Sequence, residues 1–215
     1  MDTTWTWLTL AFLGAFHGIN PAMGWLFAVA LGMQEKNRRA VVMSLIPMAL
    51  GHAVSIGMIV LLVRVAQELL SESILRPVSG TVLLGFGFYK LIRSRHPARV
   101  GMRVTYKELT LWSFLMASVH GAGLMLTPVL LGWTHAQPSH LHLSPMAGEG
   151  STVHSPEWLI AAVGIHTVSF LLAAGFIAVL VYAKFGLALL RKAWFTLDLL
   201  WVIGLIIAGV VCIWI

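Results

Sequence analysis

Residues 39–63 read RAVVMSLIPMALGHAVSIGMIVLLV and carry no charged side chain after Arg39. A helix needs about 20 apolar residues to cross a hydrocarbon core of about 30 Å. Lipid offers no partner to unpaired backbone N–H and C=O groups, so a run of this length is expected to be helical. The stretch therefore predicts a transmembrane helix.

Five further apolar runs have the same character. They cover residues 5–33, 73–92, 109–133, 157–183 and 194–215. The chain is 59% hydrophobic and only 10% charged, whereas a soluble domain is about a quarter charged. These features predict an all-α integral membrane protein of six transmembrane helices. The first run lacks a basic leader and exceeds a signal-peptide core in length, so we expect it to be retained.

The basic residues lie in short segments between the apolar runs, which is typical of topology signals and not of a nucleic-acid surface. Arg64 and Arg76 are the exceptions to a clear asymmetry. The other twelve of the 14 Lys and Arg fall in alternate loops: Lys36, Arg38, Arg39, Lys90, Arg93, Arg95, Arg99, Arg103, Lys107, Lys184, Arg191 and Lys192. By the positive-inside rule these loops are cytoplasmic. The sequence predicts a multi-pass protein of the cell inner membrane with both termini outside the cytoplasm.

Short strings recur between the two halves of the chain. Gly51-His52-Ala53-Val54-Ser55 in the second run matches Gly164-Ile165-His166-Thr167-Val168-Ser169 in the fifth, and Phe16-His17-Gly18 in the first matches Val119-His120-Gly121 in the fourth. Three spans in each half make the second copy enter the membrane from the opposite side. The pattern predicts an inverted repeat of residues 1–107 and 108–215, a common plan of secondary transporters. Gly and Pro after each first histidine predict interrupted helices.

Four histidines lie near the middle of their predicted spans: His17, His52, His120 and His166. A polar ring at this depth is costly in lipid, which makes such residues functional candidates. Neutral imidazole is a common ligand of Ni, Co, Zn and Cu, so the set predicts one metal site near the midplane. The alternative is that each ring only bridges two helices by hydrogen bonds. Supporting or path-lining roles are assigned to Asn20, Met23, Ser55, Met125, Thr167 and Ser169.

The connection at 134–156 is long, rich in Pro, Gly and Ser, and expected to be an outer loop. It holds His135, His140, His142 and His154. A His-rich tract at the mouth of a path is suited to loose metal capture, although a polar loop can also acquire histidines by chance.

The run Gly14-Ala15-Phe16-His17-Gly18-Ile19-Asn20-Pro21-Ala22-Met23, followed by Gly51-His52, resembles the nickel/cobalt exporters and the urease-accessory membrane proteins of the same superfamily. The resemblance covers the first two spans. It implies about six helices and histidine ligands, here His17 and His52, with a His-rich loop in some members. An acidic residue of the family is replaced by Asn20 and its second histidine by Met23, so the site loses a negative charge.

The leading hypothesis is a transporter or permease for a transition-metal cation, which it exports or supplies to metalloenzyme maturation. One alternative is a membrane electron-transfer protein in which histidines ligate haem. Another is a non-catalytic assembly subunit of a membrane complex. No nucleophile with a base, phosphate loop or acid pair suggests an enzyme. The expected partners are the lipid bilayer, the metal ion, and a second copy or another membrane subunit.

Overall fold

The computed structural model describes residues 3–92, 105–132, 156–184 and 194–214, with the backbone alone at 3, 72 and 194–200. These residues form helices and short turns, with no strand in the described ranges. The helices are α1 (Thr3–Ile19), α2 (Trp25–Gln34), α3 (Arg38–Met43), α4 (Leu45–Leu69), α5 (Glu72–Ile92), α6 (Tyr106–Val119), α7 (Thr127–Gly132), α8 (Pro156–Lys184) and α9 (Trp194–Trp214). Each predicted apolar run therefore coincides with helix.

Two helical stretches in the described part of the chain are long and apolar enough to cross a membrane. They are Arg38–Leu69, which joins α3 to α4, and α8. A third candidate is the bent pair of α6 with Leu124–Leu131, whose axes differ by 47°. The helical architecture and these two or three candidate spans are compatible with a membrane protein.

Both halves of the chain contain a helix that breaks just after a histidine. The first break separates α1 from α2 and holds the 3₁₀ turn Pro21–Met23, capped by the Asn20 side chain. The second separates α6 from α7 and holds the 3₁₀ turn Leu124–Leu126. Left-handed glycines lie at both, Gly24 at φ 119° and Gly121 at φ 69°, a conformation that L side chains rarely adopt. The predicted interruptions are confirmed as breaks in helix.

Three helix pairs form most of the packing, and each joins the first half of the chain to the second. Helix α1 lies along α8, α4 along α6, and α5 along α9. Glycines permit the closest approaches. A side chain at Gly14 or Gly18 would overlap the α8 backbone at His166 or Phe170, and one at Gly51 would overlap the α6 backbone at Thr110.

The outward faces of the helices are apolar, whereas polar side chains are found inside. Phe12, Leu172 and Phe176 are each about 70% exposed, while His17, His52 and His166 are fully buried. This arrangement is the reverse of a soluble surface, where large exposed apolar patches are rare. Such apolar outward faces are compatible with the hydrocarbon core of a membrane.

Candidate functional site

Three of the four predicted histidines meet in the interior. His17 comes from the end of α1, His52 from the middle of α4 and His166 from α8. The ring centroids are 5.7 Å apart for His17 and His52, 4.9 Å for His17 and His166, and 5.6 Å for His52 and His166. We refer to His17, His52 and His166 as the histidine triad.

Helix packing explains why these rings meet. Gly14 and Gly18 lie on either side of His17 along α1, and both abut the backbone of α8 at His166 and Phe170. The close approach places His17 against His166. Phe170, one helical turn after His166, stacks on the ring of His52 at a centroid distance of 3.9 Å. The glycine-lined helix contact and the Phe170 ring thus both help to position the triad.

Most ring nitrogens of the triad have no hydrogen-bond partner. His17 Nδ1 donates to the carbonyl of Leu13 at 2.7 Å, which leaves Nε2 with a lone pair and no partner when the ring is neutral. Both ring nitrogens of His52 and both of His166 are also unpaired. The Leu10 carbonyl lies near His166 without meeting hydrogen-bond geometry. Buried polar atoms normally find partners, so such a cluster calls for a functional explanation.

The triad has ligand-like spacing but is not a finished coordination set. Imidazoles that bind one metal at about 2.0–2.1 Å in tetrahedral geometry have centroids ~5 Å apart, close to the separations found here. No group of three or more His, Cys, Asp or Glu side chains within the described residues is arranged to hold an ion.

The fourth histidine, His120, belongs to the second helix break. Its Nδ1 donates to the carbonyl of Met116 at 3.0 Å, four residues earlier, just as His17 does to Leu13. Trp201 of α9 links it to the triad. The indole ring lies 4.0 Å from the His17 ring and 6.2 Å from the His120 ring, and its N–H donates to the backbone carbonyl of His120.

The predicted supporting residues have mixed roles. The Asn20 side-chain oxygen accepts the backbone N–H of Ala22, so it caps a turn, while its buried amide nitrogen has no partner. The hydroxyl groups of Ser55 and Ser118 form a hydrogen bond of 2.8 Å. The Thr167 hydroxyl, beside His166, is buried and unpaired.

The remaining predicted path residues differ in burial. Met23 and Met125 are buried at the two breaks, whereas Ser169 on α8 is partly exposed. The predicted capture histidines His135, His140, His142 and His154 lie outside the described residues.

Sequence reasoning missed three tryptophans that hold the breaks. Trp25 donates its indole N–H to the carbonyl of Ile19, Trp112 donates to Ala22, and Trp201 donates to His120. Each acceptor is a carbonyl next to a helix break, where the helix leaves it without its usual partner. Trp112 and Trp201 lie 90 and 81 residues from their acceptors, so the sequence around them carries no sign of this role, whereas Trp25 lies only six residues from Ile19.

Comparison with protein-family models, with curated proteins and with solved structures found no match to this chain.

Proposed function

We propose that this protein is a membrane transporter for a transition-metal cation and that the histidine triad binds the ion during transfer. The observation that carries the proposal is the meeting of three fully buried imidazoles from three helices, with five unpaired ring nitrogens between them. Uncompensated polar rings are expensive in a protein interior. Binding and release of a cation during transport explains why the protein keeps these unpaired imidazoles in its interior.

We further propose six membrane spans: α1 with α2, α3 with α4, α5, α6 with α7, α8, and α9. Each is a helical stretch or broken pair that coincides with a predicted apolar run. The Lys and Arg asymmetry puts both termini outside the cytoplasm. In this arrangement the protein is a multi-pass protein of the cell membrane.

The packing supports an inverted repeat of residues 1–107 and 108–215. An exchange of the halves replaces the first span by the fourth, the second by the fifth and the third by the sixth. This exchange maps the contact of α1 with α8 onto the contact of α6 with α4. It maps the contact of α5 with α9 onto itself. The set of three main helix pairs is therefore the same before and after the exchange. An inverted repeat requires this symmetry of contacts.

The two breaks support the same proposal at the level of single atoms. His17 and His120 each precede a break, and each donates Nδ1–H to the carbonyl four residues earlier. At His17 this hydrogen bond fixes the tautomer and leaves Nε2, which has no partner, as the ligand atom. Interrupted helices near the midplane are the usual place of ion sites in transporters built from such repeats.

Metal titration of the purified protein tests the proposal. The wild type should bind at least one of Zn²⁺, Ni²⁺, Co²⁺, Cu²⁺ or Cu⁺, and His17→Ala, His52→Ala and His166→Ala should each weaken binding by about 10- to 100-fold or more, as the loss of a residue in a metal's surroundings does. His52→Asn provides a smaller change if the alanine variant fails to fold. His140→Ala, in the predicted outer loop, is the control and should have the smaller effect.

Equal affinity in the wild type and all triad variants would end the metal-site proposal. Visible absorption of the same preparations distinguishes the haem alternative, because a haem-binding protein shows an intense Soret band whereas the proposed transporter does not. A folded protein that binds no ion and no haem would favour an assembly subunit.

A further inference from the structure

Two buried thioethers, those of Met48 and Met23, lie close in sequence to triad histidines. Met48 is one helical turn before His52 on α4, so their side chains lie on the same face, and both are fully buried. Met23 lies in the first helix break, six residues after His17, and is 1% exposed. A thioether thus accompanies an imidazole on α4, and a second one follows α1 in the 3₁₀ turn Pro21–Met23.

Gly24 brings Met48 to the first break. A Cβ at Gly24 would lie 3.2 Å from Met48 Cε and 3.5 Å from Met48 Sδ. Gly24 also has φ 119°, which L side chains rarely adopt. The thioether of α4 therefore packs directly on the backbone that follows His17 and Met23. Helix α4 then offers both an imidazole and a thioether to the interior next to this break.

The nature of these donors indicates the kind of ion. Thioethers are soft ligands that select Cu(I), imidazole suits several late metals, and carboxylates suit harder ions. The donors described here are neutral. The cost of moving an ion into a low-dielectric interior grows with the square of its charge, so a monovalent ion costs about one quarter of a divalent one. The softness of the thioether donors and the lower cost of burying a single charge both favour a soft monovalent cation.

We propose that the site selects a soft monovalent cation, Cu⁺ in the cell, bound by imidazoles of the triad together with the Met48 thioether. This inference rests on the proposed transport function and specifies its substrate. It assigns to Met48 a ligand role that the resemblance did not imply.

Competitive titration with Ag⁺, a soft monovalent probe that does not change oxidation state, tests the inference. In the purified wild type, Ag⁺ should bind at least about 10-fold more tightly than Zn²⁺, Ni²⁺ or Co²⁺. Met48→Leu keeps the volume and apolar character but removes the sulfur, so it should weaken Ag⁺ binding by about 10-fold or more, a loss comparable to that of other metal-site partners. Divalent affinity should change little.

The matched control is Met58→Leu. Met58 lies on the same helix but is 58% exposed, so its replacement should leave Ag⁺ affinity unchanged. Thermal unfolding of both variants shows whether either has lost its fold, and Met48→Ile repeats the test with a second sulfur-free side chain.

The outcomes separate the two proposals. If a divalent ion binds as tightly as Ag⁺ and His52→Ala abolishes its binding, the metal site stands and the soft monovalent assignment is wrong. If Ag⁺ binds tightly but Met48→Leu and Met48→Ile both retain full affinity, Met48 is not a ligand and the inference is overturned. If no ion binds, or if the triad variants bind every ion as the wild type does, the proposed function itself fails.

Discussion

At Gly14 the absence of a side chain lets α1 touch the backbone carbonyl of His166. Gly18, one turn later, makes the same kind of approach to Phe170. His17 lies between them, so the position of its ring depends on two residues that have no side chain at all. A single methyl group at either glycine would move the helix that carries His17.

We expect Gly14→Ala to destabilise the protein by about 1–3 kcal/mol or more, the usual cost of overpacking, because the obstacle is backbone and cannot rotate away. Thermal unfolding in detergent measures this loss. Metal affinity should fall in the same variant, since His17 is displaced from His166.

Gly164→Ala is the matched control, two residues from His166 on α8. A Cβ at Gly164 has no neighbour within 4 Å, and alanine has the higher helix propensity. An unfolding temperature at or above that of the wild type is expected. A similar loss in both variants would show that the α1 and α8 contact is not the cause.

The sequence could predict the triad residues but not how they associate. An imidazole in an apolar run is conspicuous, so His17, His52 and His166 were identified by composition and depth alone. Trp201 was not identified from the sequence, because it is one of many aromatic and aliphatic residues in the apolar runs. Only the packing of α9 beside His17 reveals its role. Its contact with both His17 and His120 is a property of the tertiary structure.

Among the helices, α6 has the clearest start signal. Thr105 Oγ1 accepts the N–H of Glu108, and the Glu108 carboxylate accepts the N–H of Thr105 at 2.7 Å. This reciprocal pair is a capping box, which satisfies backbone donors at a helix N-terminus. It fixes where α6 begins, before the predicted span at 109–133.

We expect Thr105→Ala to lower stability by about 0.5–2 kcal/mol, as the loss of an N-cap does. Thermal unfolding of this variant beside the wild type measures the loss.

The hydrogen bonds from Thr105 hold the pKa of Glu108 below its ordinary value. A carboxyl with a lowered folded-state pKa stabilises the fold above its unfolded-state pKa, and this contribution is lost as the pH falls through the folded-state value. Unfolding temperatures of the wild type and Glu108→Gln should therefore converge on acidification below the ordinary range for Glu.

Helix positions were predictable because apolar length alone decides them when backbone groups must pair internally. The breaks were predictable from Gly18, Pro21 and Gly121. The form of the first break was not, since the indole of Trp112 and the thioether of Met48 reach it from α6 and α4. Short-range sequence cannot specify a partner 90 residues away.

For the whole molecule, the distribution of Lys and Arg predicts a direction in the membrane. Reporter fusions after Arg99 and after Ile215 should report opposite compartments, because the first lies in a basic loop and the second beyond the last span. A fusion after Leu70, in the short connection between α4 and α5, should agree with the one after Ile215. Agreement between the Arg99 and Ile215 fusions would disprove the proposed topology.

The pairing of α1 with α8 and of α4 with α6 has a consequence for biogenesis. In the proposed membrane topology, a growing chain delivers α1 and α4 to the bilayer before α6 and α8, their packing partners, have been synthesised. Until α6 is inserted, the Ala22 carbonyl lacks the indole of Trp112 that later binds it. In that topology α1 and α4 enter the membrane before the helices that they pack against, and their packing is completed only after α6 and α8 are inserted.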